Sequence, residues 1–230
     1  MIKHLFPNEK TNVKRCFHFD KEKPIIFISC RVHPGETSSS FLMNSIIKFL
    51  TNDKDPRAEI LRKIFIFKII PIINVDGVSR GYYRYDTNSL NMNRHYINPN
   101  QKIQPEIYAV KNIFLFYSQN MKIKYYFDLH GHVSSKGLFL FGNNLEYLLQ
   151  IENCIFPKIL EINSEYLDFA FCNLSEKSMK SKGRGDKFSK EGSGRVFFNK
   201  SCDVLHCYTI EASGFRGLIS NKSPIPKFDN

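Results

Sequence analysis

The sequence has no tryptophan, no CxxC pair and no apolar run of 18 residues. A run of about that length is needed for a helix that crosses a bilayer, so we expect no transmembrane helix. The first residues, Met1-Ile2-Lys3-His4, are too polar and too short a stretch for a signal peptide. We therefore expect a cytoplasmic protein.

The cysteine pattern also limits the chemistry that the chain can carry. Because we expect a cytoplasmic protein, its six cysteines should be reduced, and most of them should be buried inside the fold. Cys202 and Cys207 lie close together but have no second pair, which argues against a structural zinc knuckle. The sequence contains neither a P-loop nor a GxGxxG fingerprint, so it lacks both of these nucleotide-binding motifs.

Acidic residues are few compared with basic ones. The chain has 33 Lys and Arg against 22 Asp and Glu, a net charge of +11. A basic protein favours anionic partners, which include nucleic acid, a membrane surface and an acidic polypeptide. The lysines are scattered along the chain instead of forming one block, so a solvated surface explains the charge equally well.

Short apolar runs alternate with amphipathic segments, and 42% of the 230 residues are hydrophobic. The runs predict strands at Ile25–Cys30, Ile64–Ile73, Lys124–His130, Leu138–Phe141, Tyr166–Cys172 and Val204–Glu211. Helical spacing predicts helices from Ser39 or Ser40 to Leu50, from Pro56 to Arg62, at Pro105–Tyr117 and at Leu145–Asn163. This alternation predicts an α/β fold, a mixed central sheet flanked by helices.

Loops separate these elements. We predict turns at Asn74–Gly77 and at His130–His132. Residues 78–103 form a long segment without an apolar run, and loops of that length in compact domains are usually functional. Residues 175–194 are rich in Lys, Ser and Gly, and their tripeptide Arg184-Gly185-Asp186 is interpreted as part of a polar loop.

Metal-ligating side chains follow the predicted strands. His33 and Glu36 are three positions apart just after the first strand, and His130 ends a later one. Two imidazoles and one carboxylate form a His₂Glu set, which binds catalytic zinc and leaves a fourth position open to water. Glu211 ends the last strand. Ligands of open α/β sheets bind outside the carboxyl ends of strands, so we expect one site there.

Each of these residues also has an ordinary structural explanation. A single histidine at a strand end more often satisfies a hydrogen bond than binds a metal, and an HxxE spacing occurs by accident in many proteins. His132 shares a strand face with His130 and is the alternative third ligand. Asp128 lies on the same face and either orients a ligand or accepts a hydrogen bond at the strand end.

Several longer segments add a family resemblance. They are RVHPGET (31–37), FKIIPIINVDGV (67–78), GYYRYDTNSLNMNRHY (81–96), FDLHGH (127–132), GSGRV (192–196) and YTIE (208–211). In this order they resemble zinc carboxypeptidases of the cytosolic carboxypeptidase family, whose members shorten glutamate chains on tubulin. CNLSEKSM (172–179) and KEGSGRV (190–196) resemble the branch of the family that removes branch-point glutamates.

The resemblance implies a role for each matching residue. His33, Glu36 and His130 would bind one Zn²⁺ per chain, and Glu211 would be the general base. Bound zinc lowers the pKa of water enough to make it a nucleophile at neutral pH.

Four further positions match the substrate-binding pattern of the family. Arg84 would stabilise the oxyanion, and Asn93 with Arg94 would bind the terminal carboxylate. Arg195 lies in the segment that shapes the side-chain pocket, where a basic residue selects glutamate.

The function implied is a zinc metallocarboxypeptidase that hydrolyses C-terminal or branch-point glutamate from polyglutamylated tubulin or other acidic tails. We expect a monomer associated with microtubules that binds neither nucleic acid nor membrane. Two alternatives stay open at this point. One is a zinc deacylase of the aspartoacylase type, which shares the ligand plan, and the other is a catalytically silent tubulin-binding module.

The chain also departs from the family pattern. Family members carry a β-sandwich domain before the catalytic domain, whereas some thirty residues precede the zinc motif here. Fewer than twenty residues follow Glu211. We therefore expect a truncated catalytic domain over residues 25–217, with a short lead at 1–24 and a tail at 218–230.

Overall fold

One mixed sheet organises the part of the chain that the structure, a computed structural model, describes: residues 22–133, 137–183 and 185–214. Within these ranges the sheet has five strands in the order β2-β1-β3-β5-β4. They are β1 (Ile25–Cys30), β2 (Ile66–Ile70), β3 (Ile123–His132), β4 (Leu138–Phe141) and β5 (His206–Ser213). The first four in the sheet order run parallel, and β4 pairs antiparallel with β5. The predicted α/β fold with a mixed sheet is confirmed.

Helices cover both faces of the sheet. They are α1 (Thr37–Leu50), α2 (Pro56–Ile64), α3 (Val75–Ser79), α4 (Pro105–Asn120), α5 (Tyr147–Asn163), α6 (Glu176–Lys180) and α7 (Gly194–Cys202). Short 3₁₀ turns occupy Met92–Arg94, Phe169–Phe171 and Lys190–Gly192. No helix among the described ranges is both long enough and apolar enough to cross a membrane.

The core forms two layers because alternate residues of each strand point to opposite faces. On one face, Phe27 and Tyr126 pack against α4 and α7, where Phe114 and Phe198 stack with ring centroids 3.7 Å apart. On the other face, buried residues of the strands pack against Met43 of α1 and side chains of α5. β1 is buried along its whole length, as expected for a central parallel strand.

Several predicted elements match the structure and others are corrected. The bounds predicted for β1 and β4 are confirmed. The strand predicted at Tyr166–Cys172 is wrong, because the side chain of Asp168 accepts a hydrogen bond from the backbone N–H of Ala170 and starts a 3₁₀ turn. Isolated bridges at Leu167 and Asn173 are what remains of the pairing.

Three further segments differ from the prediction. Asn74 caps the short helix α3, so the predicted turn at 74–77 is the first turn of a helix. β3 continues through His132, so the predicted His-Gly-His turn is a strand end. The loop expected at 175–194 contains α6, and α7 begins at its end. The predicted lead and tail lie outside the described residues, apart from residues 22–24 of the lead.

Candidate active site

The loop after β1 brings two potential metal ligands back over the sheet. Arg31 adopts a left-handed backbone conformation with φ of 55°, which turns the chain sharply at the strand end. Its guanidinium donates hydrogen bonds to the carbonyl of Pro34 and to Ser40 Oγ, at 2.7 Å for the latter. These bonds hold the loop in the shape that places His33 and Glu36 above the carboxyl end of the sheet.

His33, Glu36 and His130 form a compact donor group whose ligand atoms all lie within 4.8 Å of one another. Nδ1 of His33 lies 2.7 Å from one carboxylate oxygen of Glu36, and Nδ1 of His130 lies 2.9 Å from the other. Both imidazoles therefore present the same ring nitrogen to one carboxylate. This arrangement fits a single ion with a His₂Glu ligand set.

The other nitrogen of each ring is held from outside the group. Nε2 of His33 lies 2.9 Å from the side-chain oxygen of Asn91, and Nε2 of His130 lies 2.9 Å from Asp128. Ser29 donates a hydrogen bond to Asp128 at 2.8 Å. Outer partners of this kind fix the tautomer and orientation of metal-binding histidines, so they support the assignment of Nδ1 as the ligand atom.

Burial and charge together shift the pKa values of this group. Burial raises the pKa of Glu36, but the neighbouring His130 and His33 outweigh it and lower that pKa. Burial lowers the pKa of His130, but the carboxylates of Asp128 and Glu36 outweigh it and raise that pKa. Glu36 is therefore a charged carboxylate between two imidazoles, a donor set that suits a cation.

Glu211 lies next to the donor group because β3 and β5 pair in parallel with His130 opposite Glu211. On its other side Glu211 is opposite Phe139 of β4. Burial raises the pKa of Glu211 from 4.5 to about 7, with Glu36 and Asp128 adding to the effect and His130 opposing it. A carboxyl group with a pKa near neutrality suits proton transfer at physiological pH.

Arg84 and Arg94 both lie at this edge of the sheet. Arg84 lies 3.9 Å from Glu36 and 3.6 Å from Asp186. Arg94 is buried and donates a hydrogen bond to Asp186 at 2.7 Å. The amide nitrogen of Asn93 lies 3.2 Å from Nε2 of His130, so this side chain packs directly against the donor group.

Arg195 lies at the base of the same cavity. It is 2% exposed, and its guanidinium donates to the carbonyl of Gly142 and, at 2.9 Å, to Asn143 Oδ1. Burial lowers its pKa to about 10, which leaves it charged at neutral pH. The half-buried Lys190 lies nearby with its ammonium 4.9 Å from the centre of the Phe141 ring.

A cavity of about 380 Å³ connects all eight residues predicted for the site. Its walls include His33, Glu36, His130, Glu211, Arg84, Asn93, Arg94 and Arg195. His132, the alternative ligand, also lines it but packs edge-on against Phe139, with ring centroids 5.3 Å apart.

Three polar residues at or beside the cavity were not assigned from the sequence. Asn91 belongs to the Asn-x-Asn-Arg segment, whose first member could have been recognised as a histidine partner. Asp186 falls in the tripeptide interpreted as a polar loop, yet its side chain is 1% exposed and paired with Arg94. Lys190 is the first residue of the KEGSGRV segment that carries Arg195, and no spacing rule singles it out.

Comparison with known proteins shows the family of the chain. The zinc carboxypeptidase family (peptidase M14) matches residues 10–145. Human cytosolic carboxypeptidase-like protein 5 is 32% identical over 315 residues, which include all of this chain and 35% of that protein. Human cytosolic carboxypeptidase 6 is 33% identical over 203 residues, covering 86% of this chain and 38% of that protein.

Solved structures show the same fold. A metallo-carboxypeptidase from Burkholderia cenocepacia superimposes with a TM-score of 0.70 at 21% identity, covering 83% of this chain and 48% of that one. The chain spans about a third of the length of the curated relatives it matches. The resemblance inferred from the sequence is confirmed at the level of the family, and the chain belongs to the zinc carboxypeptidase family.

Proposed function

We propose that the chain is a zinc metallocarboxypeptidase that removes glutamate from the C-terminus or from branch points of acidic protein tails. The observation that supports this most directly is the shared cavity, in which a His₂Glu donor group, a carboxyl group with raised pKa and three arginines meet. A terminal glutamate carries two carboxylates, and the cavity offers a cation for each.

Zinc fits the donor group because the two inward Nδ1 atoms and the Glu36 carboxylate converge, while Asn91 and Asp128 hold the outward nitrogens. When bound there, zinc supplies a Lewis acid and an activated water. The proposed ligands are therefore His33, Glu36 and His130, and His132 is left beside the site.

Glu211 is the proposed general base. Its position beside His130 allows it to take a proton from the attacking water and pass it to the leaving nitrogen. Its environment is poor in water and rich in negative charge, which makes it a better proton acceptor than an exposed glutamate.

Each of the three arginines would pair with a different negatively charged group of the substrate. Arg94, beside Asn93, is placed to bind the terminal carboxylate through its planar guanidinium. Arg84, 3.9 Å from the ligand Glu36, is placed to stabilise the oxyanion that develops near the donor group. Arg195, deeper in the cavity, would pair with the glutamate side chain.

The basic surface fits acidic substrates. A net charge of +11 would raise the rate of encounter with a glutamate-rich tail such as that of tubulin, and salt would reduce this effect. A cytoplasmic location agrees with the names of the relatives. Association with microtubules follows from the proposed tubulin substrate. We further propose that residues 25–217 are the catalytic unit and that it acts as a monomer.

The decisive test is incubation of the zinc-loaded chain with a branched glutamyl peptide and with glutamylated tubulin, followed by mass spectrometry. We expect loss of single glutamates, which stops in Glu211→Gln and in His33→Ala. Glu59→Gln is a matched control, because Glu59 pairs with Lys63 on the surface and does not line the cavity.

Metal analysis of the same samples distinguishes a protein that has lost its zinc from one that binds zinc but does not cleave the peptide. We expect one zinc per chain, lost in His33→Ala and retained in Glu211→Gln. Unchanged peptide masses with zinc fully bound would overturn the proposal. Release of acetate from N-acetylaspartate, with the glutamyl peptides intact, would support the deacylase alternative.

A further inference from the structure

We propose that Asp186 is a positioning residue that couples the metal-ligand group to the arginine that binds the substrate carboxylate. This inference rests on the proposed function, because it assigns His33 and Arg94 the roles given above. Asp186 belongs to neither the donor group nor the cavity wall.

A continuous chain of hydrogen bonds connects His33 to Arg94. Nε2 of His33 lies 2.9 Å from Asn91 Oδ1, and the amide nitrogen of Asn91 donates to Asp186 Oδ1 at 2.8 Å. The other carboxylate oxygen, Asp186 Oδ2, accepts from Arg94 at 2.7 Å. Because the amide nitrogen of Asn91 donates to Asp186, the amide oxygen must face His33, where it accepts a hydrogen bond from Nε2–H. In the neutral imidazole, this leaves Nδ1 of His33 without a proton and able to bind a metal.

Asp186 contacts Arg94 from outside the wall of the catalytic cavity. The catalytic cavity is lined by Arg94 but not by Asp186, whereas a second cavity of about 250 Å³ is lined by Asn91, Arg94 and Asp186. Arg94 thus lines both cavities. A substrate carboxylate in the first cavity can pair with Arg94 while Asp186 holds the guanidinium from behind.

Burial makes this contact hard to replace. The side chains of Asp186 and Arg94 are 1% and 5% exposed, so each charge depends on the other. Arg84 adds a second cation 3.6 Å from Asp186. Burial raises the pKa of Asp186, but the Asn91 hydrogen bond and the two arginines outweigh it and lower that pKa, so the carboxylate is charged.

A glycine permits the close approach of the loop. A Cβ on Gly183 would overlap Asp186 Oδ2 and would lie 3.3 Å from the guanidinium of Arg94. Any larger residue at position 183 would displace the carboxylate. The loop is therefore shaped to deliver Asp186 to this point.

The test compares Asp186→Asn and Asp186→Ala with the wild-type chain in two binding assays. Zinc affinity is measured by chelator competition, and the affinity of the zinc-loaded protein for free L-glutamate by calorimetry. We expect zinc to bind about tenfold more weakly, as for other outer partners of ligand histidines. Glutamate should also bind about tenfold more weakly, because Arg94 loses a charge-assisted hydrogen bond that fixes its position.

Double variants show whether Asp186 acts through its two partners. In an Asn91→Ala background, Asp186→Asn should cause no further loss of zinc affinity. In an Arg94→Ala background, it should cause no further loss of glutamate affinity. Asp53→Asn is the matched control, because Asp53 is 93% exposed and pairs with Arg62 on the surface. It should change neither affinity.

The outcomes separate this proposal from the proposed function. If the chain binds zinc but cleaves no glutamyl peptide, the function fails while the zinc assay still measures the coupling. Unchanged zinc and glutamate affinities in a folded Asp186→Asn protein would overturn the coupling. Tighter glutamate binding in that variant would also overturn it, because Asp186 would then compete with substrate for Arg94.

Discussion

The raised pKa of Glu211 predicts that replacing the proposed base stabilises the metal-free protein at high pH. A group whose pKa is higher in the folded state than in the unfolded state favours folding while protonated. That contribution is lost as the pH rises from the unfolded value to the folded one. Glu211→Gln cannot ionise, so it does not suffer this loss of stability at high pH.

The size of the effect follows from the environment of the carboxyl group. A rise from 4.5 to about 7 corresponds to roughly 3 kcal/mol at 1.36 kcal/mol for each pKa unit. Because Glu211 keeps some solvent exposure, we expect a smaller effect, about 2 kcal/mol. The advantage of Glu211→Gln should therefore be small near pH 5 and reach about 2 kcal/mol near pH 8.

Urea unfolding of both proteins in chelator, at several pH values in this range, measures the difference. Glu59→Gln is the control, and its effect on stability should have the opposite sign. Pairing with Lys63 lowers the pKa of Glu59, so loss of the charged carboxylate should destabilise the folded protein. With zinc bound, the advantage of Glu211→Gln should shrink, since a nearby cation favours the ionised carboxylate. A constant difference between wild type and Glu211→Gln from pH 5 to pH 8 would refute the reasoning.

Two further predictions concern zinc affinity and specificity. Asp128→Asn should weaken zinc binding by about 10 to 100-fold in chelator competition, while the surface variant Asp53→Asn leaves it unchanged, since Asp128 orients His130. Equal affinities would remove Asp128 from the metal site. Arg195→Ala should reduce the preference for terminal glutamate over leucine by about 30-fold, or roughly 2 kcal/mol, with zinc content unchanged, as judged by kcat/KM on paired peptides. The exposed Arg57→Ala should leave that preference intact, and an intact preference in Arg195→Ala would place the specificity elsewhere.

The sheet could be predicted from the sequence because its strands are short apolar runs. β1 and β4 matched their predicted bounds, since each apolar run stops at a residue of another kind, Arg31 after β1 and Gly142 after β4. The segment Tyr166–Cys172 shows the limit of this approach. Its aromatic residues resemble a strand, but the local hydrogen bond of Asp168 competes with sheet pairing and prevails.

The candidate site was predictable where local spacing or motif order carried the signal. His33 and Glu36 are three residues apart, so one loop places both. The contacts of Asp186 are different in kind, because its partners Asn91 and Arg94 are 95 and 92 residues away in the sequence. A charged residue in a polar loop is usually solvated, and only the folded chain shows that this one is buried.

The hydrogen-bonded pairing of β3 with β5 determines which insertions and deletions the site can tolerate. His130 and Glu211 are direct neighbours across this pairing, so one interstrand spacing, about 4.8 Å between backbones, sets the distance from ligand to base. A slip of one residue would bring Ile210 or Ala212 opposite His130 and turn Glu211 to the other face. Insertions or deletions within β5 would therefore abolish the base even if the sheet still formed, whereas changes of length in the loops would leave this distance intact.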